Sequence, residues 1–471
     1  MGSRRGQLQA YRFVTRRIVG AMLSGDPETA DLPMRRLGLA TFAGVMVGAI
    51  VLGAVGAYAV IRPGGATTWK NGKAVIVEKE TGTRYVYRSR TLYPVLNYAS
   101  ARLLLGSGSQ TVQVSARSLG DTPRGAVLGI PGAPDALPPA GGLVGLPWNV
   151  CTGGAGVGSA VGVVVGTGVR GRPLGSDGLL TQTPDGEVYL VTDSRRHAVR
   201  APDRTLSTLG WRSDQPVRVG PAFLDAVPAG PDLEPAALDG AGSRGPAVPG
   251  HDRARIGDVF QVAAADQYFV LTADGLALVT ATDAKVRLEG QEPLGLTPGE
   301  FDQAPKRPAG PLVPTGYPRR VPSLLSVNPD SPPTLCVRYS GPSSGSSGLD
   351  VQVLDSPPGG LPAVRRAGPR PRSAEATADG VVVPAGRGAL VRAVPAPGVT
   401  TGTVYLVTDQ GLRHPVGSDA DVAALGYGGV PLVPVPSTVL DLVPVGPALS
   451  AAAANTFVPV PVPGGRRRGA G

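Results

Sequence analysis

The chain has 471 residues, a net charge of +10, and 68 glycines and 49 prolines, which together make up about a quarter of it. That Gly and Pro content borders on the composition of disordered proteins, but valine-rich alternating segments indicate a β-rich body with many turns. The positive charge is concentrated in residues 1–36 and at Arg466–Arg468. No basic stripe interleaved with aromatic residues lies between them, which argues against nucleic-acid binding.

The first element in chain order is a basic N-terminal tail, residues 1–36. Its stretch RRGQLQAYRFVTRRIVGAMLSGDP predicts an amphipathic helix that ends at Asp26-Pro27, with an apolar face that includes Leu8, Tyr11 and Ile18. Such a helix can lie on an anionic membrane surface or bind a cytoplasmic partner. The residues predicted to make this contact are Arg5, Arg12, Arg16 and Arg17.

A transmembrane helix is predicted over residues 37–61, where 25 consecutive positions carry no charge. This length can cross a hydrocarbon core of ~30 Å. Small residues that would let another helix approach closely recur along it. They are Gly44, Gly48, Gly53 and Gly56. Two explanations stay open, helix packing in the membrane and the general Gly and Ala richness of the chain.

The charges around the helix predict its orientation. Residues 1–36 carry seven arginines and three acidic residues, and the positive-inside rule places such a tail in the cytoplasm. Arg62, Lys70 and Lys73 on the other flank weaken the asymmetry. We therefore expect a single-pass protein of the plasma (inner) membrane with its large C-terminal region outside the cytoplasm.

The outer region contains a repeated sequence. VYLVTD at 188–193 recurs at 404–409, and His197 and His414 follow at nearly the same spacing. TRYVYRSRTLYPV at 83–95 and QYFVLTADGLALV at 267–279 are weaker copies, and each copy predicts a hairpin followed by a short helix. The predicted modules are 62–110, 186–235, 250–304 and 396–450.

Two further segments, 111–185 and 310–395, predict the strands of a central β domain. Each contains one of the two cysteines, Cys151 and Cys336. An extracytoplasmic location permits a disulfide, and we expect the pair to join the two segments. Two unpaired buried thiols are the alternative, whereas a zinc site lacks further soft ligands in a chain with three histidines. Residues 451–471 form a Pro/Arg-rich tail.

Motifs that could carry catalysis are weak. The Gly-Lys pair of the chain, Gly72-Lys73, lacks the rest of a phosphate-binding loop. A GxGxxG sequence at 166–171 precedes Arg172-Pro173, where a dinucleotide site needs a helix, so a turn is expected.

The remaining candidates favour a structural interpretation as well. The GxSxG match at 341–345 runs into a Ser/Gly tract, which indicates a loop rather than a nucleophile elbow. His197 and His414 occupy equivalent repeat positions, which favours repeated packing or a repeated hydrogen bond over a metal pair. Enzymatic activity is left open with its absence favoured, and no catalytic residue, cofactor or metal ligand is predicted.

The residues resemble the EccB family, membrane components of the type VII (ESX) secretion system of actinobacteria. The matching blocks include RGQLQAYRFVTRR at 5–17, RPGG at 62–65 and LYPVLNYASARLLLG at 92–106. The resemblance covers nearly the whole chain. It implies a single-pass membrane protein with a β-rich α+β extracytoplasmic region, in which a central disulfide-linked β domain is surrounded by four small repeat modules.

The resemblance also implies a function and partners. It predicts a structural subunit of the type VII secretion inner-membrane core complex that supports assembly and protein export, beside homologues of EccC, EccD and EccE. Homo-oligomeric contacts are expected on the outer side. The alternatives are an extracytoplasmic nucleotide hydrolase, since family members are sometimes labelled ATPases, and a cell-wall-binding anchor.

Overall fold

The structure is a computed structural model. It describes residues 4–24, 33–61, 68–152, 160–262, 265–308, 310, 312–328, 331–342, 348–359, 361, 377–395 and 399–458. The chain forms two compact units. The first comprises residues 1–69, 78–82 and 113–122, and the second comprises the remainder.

Two long helices dominate the first unit, α1 (Arg4–Ser24) and α2 (Pro33–Ile61). In α2 the stretch Leu37–Tyr58 spans 22 residues, and among the described residues it is the one helix long and apolar enough to cross a membrane. Every side chain in that stretch is exposed. An uninterrupted apolar helix satisfies its own backbone hydrogen bonds, which is what a lipid environment requires. The predicted membrane helix is confirmed as a single candidate span.

The remaining elements follow in chain order. After a 3-10 helix at Thr68–Asn71 come β1 (Ala74–Glu78), β2 (Arg84–Arg88), β3 (Thr91–Val95), α3 (Tyr98–Leu105), β4 (Gln110–Val114), α4 (Ala116–Leu119) and a 3-10 helix at Ala140–Gly142. Next are β5 (Trp148–Thr152), β6 (Val161–Val165), β7 (Arg172–Pro173), β8 (Leu179–Gln182), β9 (Val188–Thr192), β10 (Arg195–Ala198), α5 (Pro202–Leu209), β11 (Val217–Arg218) and α6 (Pro221–Ala226). The third group is β12 (Val259–Val262), β13 (Gln267–Thr272), β14 (Gly275–Val279), α7 (Ala281–Leu288), β15 (Leu294–Leu296) and α8 (Pro298–Gln303). The last is β16 (Thr334–Tyr339), β17 (Leu349–Leu354), β18 (Gly380–Val382), β19 (Gly388–Val394), β20 (Val404–Thr408), β21 (Arg413–Val416), α9 (Asp419–Leu425), β22 (Val433–Pro436), α10 (Ser437–Leu440) and α11 (Ala451–Ala454).

Four small sheets share one strand order. They run β3-β2-β1-β4, β10-β9-β8-β11, β14-β13-β12-β15 and β21-β20-β19-β22. In each, three consecutive strands precede a helix, and a fourth strand returns beside the first. The fourth strand is parallel to the first in the last three sheets. We call these sheets with their helices modules 1 to 4.

The turns and helix ends of the modules follow from their sequences. Asp193 and Ser194, between β9 and β10, have φ of 48° and 57°, the conformation of a type I′ hairpin turn, which short polar residues tolerate. Asn97 and Ser418 begin α3 and α9, and each side chain accepts a backbone N–H three residues further on, as N-cap residues do.

A six-stranded central sheet has the order β18-β6-β5-β16-β17-β7. Strands β5 and β16 pair antiparallel, with Cys151 opposite Cys336. The sheet thus combines strands that precede modules 2 and 3 in the sequence with strands that follow them. The predicted fold class, a β-rich region with a disulfide-linked central β domain, is confirmed.

The largest core joins the central sheet to modules 2 and 4. Trp148, Val163 and Val337 of the central sheet share it with Val191 of β9 and Val407 of β20. Helix α3 packs against α9, and α5 packs against α7. Module 1 therefore contacts module 4, and module 2 contacts module 3. The sheets of modules 2 and 4 begin with β8 and β19, one strand before the predicted starts at 186 and 396, and the predicted domain partition itself stays a prediction.

Candidate functional site

The disulfide joins the two middle strands of the central sheet. Cys151 and Cys336 are bonded with their Cα atoms 4.0 Å apart and 185 residues apart in sequence. Both are fully buried beside Val169 and Leu354. A covalent bond at this position ties the N-terminal strands of the sheet to its C-terminal strands.

The two repeat histidines form the same buried contact in modules 2 and 4. The Nδ1 atom of His197 lies 2.7 Å from the carbonyl oxygen of Pro231, and that of His414 lies 3.1 Å from the oxygen of Pro447. A carbonyl can only accept, so Nδ1 carries the proton in both rings. The prediction of a repeated structural hydrogen bond is confirmed.

Glycine makes room for each of these rings. A Cβ atom at Gly230 would lie 2.3 Å from Cε1 of His197, and one at Gly446 would lie 2.3 Å from Cε1 of His414. Desolvation lowers the pKa of both imidazoles, opposed by the backbone hydrogen bond. Both rings are therefore neutral at physiological pH, and we call each His-Gly pair with its proline carbonyl a histidine latch.

Each histidine latch adjoins an ion pair that the sequence analysis missed. Arg196 pairs with Asp225 at 3.1 Å in module 2, and Arg413 pairs with Asp441 at 2.5 Å in module 4. The signal was present, because an arginine precedes both histidines, and a Leu-Asp pair follows with its Asp 29 residues after the arginine in module 2 and 28 residues after it in module 4. These residues link the hairpin to the helix after the fourth strand in both modules.

The GxGxxG segment does not have the geometry of a dinucleotide site. The GxGxxG residues lie between β6 and β7. A dinucleotide-binding site requires a helix directly after this motif, and a strand follows it here. Ser343 and the rest of its tract at 343–347 lie outside the described residues. Within the part of the chain that is described, no three His, Cys, Asp or Glu side chains could hold a metal ion.

The predicted contact residues of the first unit are exposed and remain predictions. All four predicted arginines lie on α1, an exposed helix. Around the four predicted glycines of α2, no atom other than those of the adjacent residues and the helix backbone itself lies within 4 Å of the position a Cβ would take. The surface of α2 is thus open at these positions.

Nearly the whole chain matches a known family. The family described as "Type VII secretion system ESX-1, transport TM domain B" matches residues 2–459. A relative named "ESX-3 secretion system ATPase EccB3" from Mycolicibacterium smegmatis is 30% identical, over 95% of this chain and 89% of the relative. "ESX-1 secretion system ATPase EccB1" from Mycobacterium tuberculosis is 32% identical over 59% of each chain.

Solved structures agree with the family match. A chain in the "intact ESX-5 inner membrane complex" aligns with a TM-score of 0.65 and 26% identity, covering 99% of this chain and 98% of that one. A chain of the "EccB3 dimer from the ESX-3 core complex" aligns with a TM-score of 0.63 and 27% identity, covering 81% and 100%. With one candidate membrane helix, a braced central sheet and four modules of one topology, the chain belongs to the EccB family of type VII secretion membrane proteins.

Proposed function

We propose that the protein is a structural subunit of an ESX inner-membrane core complex, where it supports assembly and protein export. The observation that carries this proposal is the alignment over 99% of the chain, at a TM-score of 0.65, with a component of an ESX-5 inner membrane complex. The alignment extends from the membrane helix through all four modules. It therefore supports a role like that of the ESX-5 component for the whole chain, rather than for one domain of it.

The distribution of buried polar groups supports a scaffold role. The disulfide, the two histidine latches and the two adjoining ion pairs all connect elements within the protein. None of these contacts pairs a nucleophile with a base, as acid–base or covalent catalysis requires. These five contacts therefore support a role as a rigid connector.

The tail and the membrane helix are the proposed attachment to the complex. We place the tail in the cytoplasm on the positive-inside rule, and homologues of EccC, EccD and EccE are the proposed partners in and beside the membrane. The exposed arginines of α1 would contact an acidic partner surface or anionic lipid. The open glycines of α2 would seat a neighbouring helix. Outside the membrane we propose contacts between copies of the chain, since a relative is titled a dimer.

The alternatives make different predictions. Relatives carry the word ATPase in their names, yet the sequence has no Walker A motif, so we expect the purified full-length protein not to release phosphate from ATP. A cell-wall anchor would sediment with peptidoglycan sacculi in the absence of any other secretion component. Phosphate release that survives chromatography with the protein, or sedimentation with sacculi, would favour the respective alternative.

The decisive experiment is a pull-down of the tagged full-length chain from its host membranes in mild detergent. We expect a megadalton-scale assembly that contains an ATPase and a multi-spanning membrane protein, identified by mass spectrometry. Recovery of the protein alone would contradict the proposal.

The proposed attachment residues are tested in the same assay. Gly44→Leu with Gly48→Leu should reduce recovery of membrane partners. Val45→Leu with Val51→Leu, a matched apolar change on the same helix, should not. Arg12→Gln with Arg16→Gln tests the tail, and a loss of liposome binding without loss of partners would assign those arginines to lipid. Equal recovery in all variants would remove these residues from the proposed interfaces.

For orientation, trypsin is added to sealed right-side-out vesicles. The arginine-rich tail should be protected until the membrane is opened with detergent. Cleavage of the tail in intact vesicles would reverse the proposed topology.

A further inference from the structure

A cleft lies at the junction of modules 2 and 3. Its volume is about 440 Å³, and its walls come from the segment after α6, the first turn of α7, and residues 313–317. An ion pair between Arg204 of α5 and Glu289, just after α7, spans the same junction at 3.1 Å. The cleft is therefore a feature of the contact between two modules rather than of either one.

The base of the cleft is held rigidly. Asp283 accepts a hydrogen bond of 2.6 Å from Nε of Arg287, and Nη2 of the same arginine donates to the carbonyl oxygen of Ala236 at 2.9 Å. Asp283 and Ala236 both line the cleft. Because both carboxylate and arginine are buried, this network fixes α7 against the wall that module 2 provides.

One polar group in the cleft lacks a partner. The Tyr317 side chain lines the cleft and is 5% exposed. Its hydroxyl group is buried and forms no hydrogen bond with any described residue. A buried hydroxyl without a partner is destabilising, so a ligand that reaches it gains a hydrogen bond.

The charged side chains that line the cleft are all acidic. Asp232, Glu234 and Asp283 line it, and no Lys, Arg or His does so. Two of these acids are already paired, Asp283 with Arg287 and Asp232 with Arg200 at 2.7 Å. Glu234 is exposed and has no ion-pair partner among the described residues. Proline and valine side chains, including Pro235 and Val313, supply apolar walls beside it.

We propose that this cleft binds an arginine side chain carried by a peptide segment of a partner protein. Glu234 would accept hydrogen bonds from the guanidinium group, Tyr317 would accept another, and the aliphatic part of the arginine would lie against Pro235 and Val313. A guanidinium group presents five N–H donors in a fixed fork, so it can reach a carboxylate and a hydroxyl together. The volume lies in the range of sites that bind ligands larger than one cation, which leaves room for residues flanking the arginine.

The test compares two peptides of nearly the same shape, one with a guanidinium group and one with a neutral urea that has fewer N–H donors. Full-length protein in detergent is titrated with acetyl-Ala-Arg-Ala-amide and with its citrulline counterpart, and binding is followed by saturation-transfer NMR. The arginine peptide should bind about tenfold more tightly than the neutral one, since a charge-assisted hydrogen bond is worth that factor or more. Glu234→Gln and Tyr317→Phe should each weaken binding about fivefold.

Glu289→Gln is the matched control. It makes the same change of charge at the same junction, but Glu289 pairs with Arg204 and does not line the cleft. Binding by this variant should equal that of the unmodified protein, and equal melting midpoints for all variants establish that each is folded. Equal binding of both peptides, no binding of the arginine peptide, or an equal loss in Glu289→Gln would each overturn the proposal. It is independent of the proposed function, whose pull-down can succeed while this test fails.

Discussion

The histidine latch of module 4 offers the sharpest test of how the modules are held together. The perturbation is Gly446→Ala, which adds one methyl group. That Cβ would lie 2.3 Å from Cε1 and 2.6 Å from Nδ1 of His414, whereas carbon atoms pack favourably at about 3.5–4.0 Å. The ring or the backbone must therefore move by roughly 1 Å or more.

The magnitude follows from what that movement disrupts. The hydrogen bond from Nδ1 to the Pro447 carbonyl is 3.1 Å long and would be broken or bent, at a net cost of about 0.5–1.5 kcal/mol. Overpacking a buried site adds about 1–3 kcal/mol. We expect module 4 to lose about 2–4 kcal/mol of unfolding free energy in total.

Two measurements follow this loss. The melting midpoint of the full-length protein in detergent should fall by a few degrees, at about 1–2 °C per kcal/mol for a unit larger than 250 residues. Amide hydrogen exchange should quicken in β20 and β21. Gly141→Ala is the control, because a Cβ there meets no atom within 4 Å, and it should change neither quantity.

A second variant separates the latch from a general effect of the substitution. In His414→Ala the ring is gone, so adding Gly446→Ala to that variant should cost little more. If Gly446→Ala leaves both the midpoint and the exchange rates unchanged, the packing of glycine against the imidazole does not hold module 4 together. If the two substitutions are additive, the clash is not with His414.

Three further predictions concern the disulfide, pH and the repeated ion pair. Cys151→Ala with Cys336→Ala should lower unfolding free energy by up to about 5 kcal/mol, the loop-entropy value for a separation of 185 residues, and an unchanged melting midpoint would contradict it. Burial lowers the pKa of His197 and His414 in the folded state, so the unfolded chain takes up protons first as pH falls. Stability should thus be fully present above about pH 6.5 and decline below it, and the decline in melting midpoint should be smaller when both are replaced by Gln. Asp441→Asn leaves the mostly buried Arg413 guanidinium without its carboxylate and should cost about 1–3 kcal/mol by denaturant unfolding, whereas an unchanged midpoint would make the ion pair dispensable.

Much of the fold could be predicted from sequence because its signals are local. An apolar run of this length predicts a membrane helix, and the repeated VYLVTD predicts a hairpin wherever it occurs. The pairing of Cys151 with Cys336 followed from the compartment and the count of cysteines. Each of these predictions depends on one local feature of the sequence or on composition, and none requires knowledge of contacts between distant residues.

The parts that were missed depend on contacts between distant residues. The first strand of module 2, Leu179–Gln182, is short and precedes the recognisable hairpin, and only its pairing with β9 and β11 makes it part of that sheet. The cleft at Tyr317 is formed by three segments far apart in sequence. Neither has a periodic pattern, so sequence reasoning had no signal from which to place them.

The order of strands in the central sheet has a consequence for biogenesis. Strand β5 pairs with β16, which is synthesised only after modules 2 and 3 are complete. These two modules contain complete sheets and share core residues that do not depend on the central sheet, so they can begin to fold while the chain emerges, as N-terminal units generally do. The central sheet must wait for its second half, and its non-local pairing makes it the slow step of folding. Until β16 is synthesised, the side of β5 that pairs with it is an open strand edge, and an open edge of this kind favours aggregation.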